Sequence, residues 1–175
     1  MAKLIINADD FGLNEAINQG IIDGFNQGCL TSTSLVANGP AFEQALTLLA
    51  DKPGLGVGIH LTLVAEKPVC SPGTVPSLVD KEGRLFPGYQ DFLNRYVRGK
   101  INGADIRREL TAQIDKVINQ GIKVSHLDSH QHLHVFPGII NIVLALAKEF
   151  TIPALRIPDE PYWFFGGFPF SPFRT

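Results

Sequence analysis

Short apolar runs alternate along this chain with segments whose apolar residues recur every three or four positions, and this restricts the fold more than any other feature. Lys3 to Ala8 is an apolar run with two β-branched residues, the pattern of a buried strand. Leu13, Ile17, Ile21, Ile22 and Phe25 then mark one face of a helix, with Gly28 near its stop. Leu30 to Val36 reads as a second strand and Leu55 to Leu63 as a third. Between them lies a helix over Ala41 to Ala50, ended by Lys52-Pro53-Gly54. Further on, Ile106, Leu110, Ile114 and Val117 mark a helix closed by Gly121; its other face carries Arg107, Arg108 and Lys116 as a solvated surface. A fourth strand is expected at Lys123 to Leu127, a helix at Ile139 to Phe150, and a fifth strand at Ala154 to Ile157. Such alternation means an α/β domain built on a parallel sheet with right-handed crossovers.

Two stretches break the pattern. Residues 64–88 hold Pro68, Pro72, Pro76 and Pro87 and read as a long loop or lid. Residues 158–175 form an aromatic and proline-rich tail, with seven aromatic side chains between Tyr162 and Phe173. These rings are expected to pack against further sequence, because a bare apolar patch of that size is unusual; a sugar-stacking platform is the alternative.

A chain of 175 residues with 45% hydrophobic residues supports one domain with a sizeable core, so residues 1–175 are read as a single domain. The net charge of −2 and the scattered Lys and Arg residues exclude a nucleic-acid stripe and an anionic-membrane patch. No stretch approaches the roughly 18 apolar residues of a membrane span. Cys29 and Cys70 form no CxxC pair, and with no leader at the N-terminus the cytoplasm is the expected address. Homo-oligomerisation is left open.

The chemistry-bearing residues fall at the C-terminal ends of expected parallel strands, the rim where α/β sheets and barrels bind ligands. Asp9 and Asp10 follow the first strand, His60 ends the third, and the run from His126 to His134 follows the fourth. In that run every even position (126, 128, 130, 132, 134) is His or Asp, and an extended chain would turn all five to one face. All five cannot bind one ion, since the run spans about 26 Å at strand rise; a bend after His130 is expected. Carboxylates and imidazoles converging from separate strands suit a divalent cation, which two histidines and one carboxylate would leave open to water and substrate. One of the adjacent carboxylates would bind the ion while its neighbour accepts a proton from water. Each residue also has a plainer reading: Asp9 or Asp10 as a helix cap, His60 as a hydrogen-bonded strand-end histidine. Asp10-Phe11-Gly12 spells the metal-binding triplet of protein kinases, but no glycine-rich loop precedes it.

Taken together, Asn7-Ala8-Asp9-Asp10-Phe11-Gly12, Gly58-Ile59-His60-Leu61 and His126 through His134 with Phe136-Pro137 resemble the YdjC-like carbohydrate deacetylases, with the branch associated with hopanoid biosynthesis the most similar. The resemblance implies a distorted (β/α) barrel of the polysaccharide-deacetylase type, incomplete here at about five parallel βα units. It implies hydrolysis of the acetamido group of an N-acetylated sugar, with Asp10, His60 and His130 holding the ion, Asp9 as general base, and Asp128, His132 and His134 as substrate-facing or supporting residues. Magnesium is the implied ion and zinc the alternative. The resemblance further implies that the C-terminal third is lacking, including a late histidine in the acid role that His132 or His134 would otherwise have to fill. Two other readings stand beside it: another metal-dependent amidohydrolase, and an incomplete domain that binds metal or sugar without turnover.

Overall fold

Four strands, β1 (Asn7–Phe11), β2 (Ser32–Leu35), β3 (Gly56–Leu61) and β4 (Val124–Ser129), lie side by side in chain order as one parallel sheet in the computed structural model, which describes residues 4–158. Sequential order with right-handed crossovers puts the connecting helices on one face and bends the sheet toward a barrel wall. The helices are α1 (Glu15–Asn26), α2 (Phe42–Leu49), α3 (Tyr89–Val97), α4 (Gly103–Ile118) and α5 (Ile139–Glu149). Leu35, Ile59, Leu61 and Leu127 on the sheet are buried in one apolar core with Ile106, Leu110 and Ile114 of α4. Alternation turns the other residues of the strands, among them Ser34, His60 and Asp128, to the opposite face.

Two expected strands are shorter than the apolar pattern suggested. The first begins at Asn7 rather than Lys3; Leu4 and Ile5 are 79% and 72% exposed. The cause is position: β1 is an edge of the described sheet, and before it, among the described residues, only Ile6 bonds to the β2 side, its carbonyl accepting from the N–H groups of Thr31 and Ser32. The fifth strand is a single parallel bridge between Leu127 and Leu155, with Leu127 N–H donating to Ala154 and Arg156 N–H to Leu127. Helix α3 lies outside the expected elements, because its short amphipathic face follows the proline-rich stretch directly.

Segment 64–88 is packed rather than open. Val75 and Leu78 are fully buried, and Val79 pairs antiparallel with Leu85. Helix α4 supplies the polar partners that the segment lacks as a strand. At four-residue spacing, Asp105, Glu109 and Gln113 form a buried polar stripe. Gln113 takes Thr62 N–H (2.9 Å) and donates to Thr62 O (2.7 Å). Glu109 accepts from the backbone N–H groups of Val69 (2.8 Å) and Cys70 (3.0 Å), and Asp105 from that of Ser77 (3.0 Å). Of the aromatic and proline-rich tail expected from 158, everything after Pro158 lies outside the described residues.

Candidate metal centre

The site begins with an irregularity in β1. Ala8 pairs with Thr33 and Phe11 with Leu35, so Asp9 and Asp10 together face Ser34, one residue against two. A bulge of this kind breaks the alternation of side chains, and Asp10 takes φ +66°, a left-handed conformation that Asp tolerates better than most residues. Adjacent carboxylates on a regular strand would point to opposite faces; here both serve one site. The turn behind them is fixed from below. Gly12 N–H donates to Asn18 Oδ1 (2.6 Å), and Leu13 N–H donates to Asp10 O (3.0 Å). The helix cap is Asn14, whose side chain accepts from Ile17 N–H (2.8 Å), so neither aspartate is used as a cap.

His60 and Asp128 are register partners on β3 and β4. His60 is 3% exposed, with Nδ1 2.8 Å from Asp128 Oδ1 and Nε2 3.3 Å from Asp10 Oδ1. His130 follows directly on β4, its Nδ1 3.1 Å from the same Asp10 oxygen. Asp10, His60 and His130 thus offer three donor atoms within 4.8 Å of one another. Ligands each about 2.0–2.2 Å from a shared ion need about this spacing. Asp128 bonded to the far nitrogen of His60 is the carboxylate–histidine arrangement that orients metal-binding imidazoles. The donor set therefore fits a divalent cation.

Charge agrees with geometry. Burial opposes a charge on His60, yet hydrogen bonds to Asp10 and Asp128 outweigh it and push its pKa up to about 9. Hydrogen bonds from His130 and His60 hold Asp10 well below the usual carboxylate range. Burial alone would raise the carboxyl of Asp128, but its bonds to His60 and to Ser34 Oγ (2.7 Å) bring it below its ordinary value. A metal ion binding at Nε2 of His60 would have to displace that proton, so proton and ion compete for the same imidazole.

The even-numbered run divides where the strand ends. His126 and Asp128 stay on β4; Gln131 and His132 then take φ of +55° and +54° inside a 3-10 segment, His130–Val135. The left-handed residues follow directly on His130, where the bend was expected, and His132 and His134 leave the face of the strand. His134 is 1% exposed, with Nδ1 2.6 Å from Ser129 Oγ and Nε2 donating to Arg156 O (2.8 Å). Both ring nitrogens are engaged and burial lowers its pKa, so it supports the site from behind. His132 is half-buried, its ring edge-on to His134 at 6.3 Å. His126 lies flat over Gly58, where any Cβ would overlap its ring, and bonds to Ser125 and Ser34.

Arg156 is the residue that sequence reasoning missed. Its Nη1 lies 2.7 and 2.9 Å from the two oxygens of Asp9 and 3.3 Å from Asp128 Oδ2. Burial would lower the guanidinium pKa, but Asp9 and Asp128 raise it further. No local motif announces it; only the bridge at Leu155 brings it alongside β4.

With this geometry in place, comparisons with known proteins add a lineage. Residues 3–170 match the model of the family described as YdjC-like protein. A carbohydrate deacetylase of Brevibacillus brevis is 44% identical over 94% of this chain and 61% of its own length. One from Geobacillus stearothermophilus is 42% identical over 85% of this chain and 57% of its own. The chain thus spans about three fifths of the curated relatives it matches. A crystal structure from Enterococcus faecalis V583, named provisionally as a cellobiose-phosphate cleavage protein, superposes with a TM-score of 0.80 at 35% identity. It covers 90% of this chain and 59% of that one.

Proposed function

Since the chain belongs to the YdjC-like protein family, we propose that its site removes the acetyl group from N-acetylated sugars by metal-assisted hydrolysis. The carrying observation is the convergence of Asp10, His60 and His130 within 4.8 Å, with Asp9 close by. Asp10, His60 and His130 would hold a divalent cation, which would supply Lewis acidity toward the acetyl carbonyl and toward water. Asp9 then acts as the general base, taking the proton from water as it attacks. Arg156 engages both Asp9 oxygens and keeps the carboxylate aimed, and Asp128 keeps Nε2 of His60 turned inward. His134, with both nitrogens bonded, is not the donor to the departing amine.

Magnesium follows from the family resemblance, whereas two imidazoles and one carboxylate suit zinc or another borderline ion better; metal analysis of purified protein decides. Placement nearest the hopanoid-associated branch rests on the wording of the motifs. A cytoplasmic address fits the two free thiols, Cys29 and Cys70, and among the described residues no helix is long and apolar enough to cross a membrane. The deciding assay follows acetate release from chitooligosaccharides with and without a chelator. Release that stops on chelation is expected; turnover of a cyclic amide in its place would make the chain an amidohydrolase of another kind. A second reading, binding without turnover, draws on the engaged state of His134, and sugar binding with no acetate release would favour it.

A further inference from the structure

We propose that Arg156 is a built-in cation filling a second ion-binding position, so that the site takes one metal ion rather than a pair. The inference rests on the reading of Asp10, His60 and His130 as ligands. Two donor sets meet at His60. One, on the Nε2 side, is completed by Asp10 and His130; the other consists of Asp9 and Asp128 with His60, again within 4.8 Å. Paired clusters sharing one side chain are how two-metal hydrolases clamp both oxygens of a reaction.

In this chain the second cluster already holds a positive charge. Nη1 of Arg156 lies 2.7 and 2.9 Å from Asp9 and 3.3 Å from Asp128 Oδ2, leaving no room for an ion among those oxygens. The guanidinium is delivered from a fixed backbone. Arg156 N–H donates to Leu127 O (2.9 Å), and its carbonyl accepts from His134, itself tied to Ser129. This gives the buried His134 a task that catalysis does not. Without the guanidinium, fully buried Asp128 and its neighbour Asp9 would share a pocket whose remaining polar partners are Asn7, Ser34, His60 and His126, the last 3.8 Å from Asp128 Oδ2. Two such carboxylates are costly to leave uncompensated, and a divalent cation is the compensating group at hand.

The test is manganese stoichiometry on the full 175-residue chain, by equilibrium dialysis with elemental analysis and by electron paramagnetic resonance. Wild type and Arg156→Lys should each take up about one ion, and Arg156→Gln about two, with the line broadening of a coupled pair. A folded Arg156→Gln that still binds about one ion overturns the proposal, as does wild type binding about two. Should Arg156→Gln fail to fold, Arg156→Met is measured in the same way, and about one ion in that variant overturns the proposal as well. Wild type that binds no ion sinks the ligand reading itself, an outcome distinct from one ion in both proteins.

Discussion

At the residue scale, the site separates ligands from the groups that aim them. His130→Ala removes a proposed ligand and should abolish metal uptake. Asp9→Asn should leave uptake intact while lowering acetate release about 10²–10⁴-fold, the range for a lost general base. If Asp9→Asn loses the ion instead, base and ligand are exchanged between the two aspartates. Asp128→Asn weakens the hold on His60 and should cost about 10–100-fold in metal affinity, read by competition with a chelating dye. The pH dependence has a definite sign. His60 is raised from 6.5 to about 9, so in ion-free protein its contribution to stability is complete below pH 6.5 and is lost as pH rises through about 9. Asp10 is lowered, so its contribution stands above its ordinary 3.8 and is lost as pH falls below that. Binding must displace the His60 proton, so apparent metal affinity should climb from pH 6.5 to about 9 while the urea midpoint of chelated protein falls.

At the element scale, helix and strand placement answered to periodicity, and the departures have local causes. The core helices fell within a few residues of their apolar stripes, because α1, α2, α4 and α5 each bury one face in the shared apolar core. Proline spacing made residues 64–88 look unstructured, yet the segment is tied down by side chains of a helix some forty positions away, which no local window contains. Glu109→Ala would strip partners from the Val69 and Cys70 amides and should cost about 1–3 kcal/mol in urea unfolding. Proteolytic cleavage within 64–88 should then appear before global unfolding. A loss spread evenly over the chain would mean that the stripe on α4 serves the core rather than this segment.

At the scale of the whole molecule, the described sheet is a wall with β1 at one edge and the Leu155 bridge at the other. Leu4 and Ile5 lie at that first edge and contribute little burial in this chain. Replacing both with Ser should shift stability by no more than about 0.5 kcal/mol, whereas Ile59→Ala, from the centre of the core, should cost about 2–5 kcal/mol; urea titrations side by side distinguish the two. Strand and helix placement and the presence of Asp9-Asp10, His60 and the run from His126 to His134 at one rim were legible in the residues, because apolar period and strand ends are local quantities; the choice of Asp10, His60 and His130 among them came with the family resemblance. The bulge that turns both Asp9 and Asp10 inward, the bonds to Ser129 and Arg156 that hold His134 behind the site, and the arrival of Arg156 were decided only in three dimensions. Each depends on which backbone groups find partners across strands distant in sequence, and hydrogen bonds between distant strands leave no period for a sequence to display.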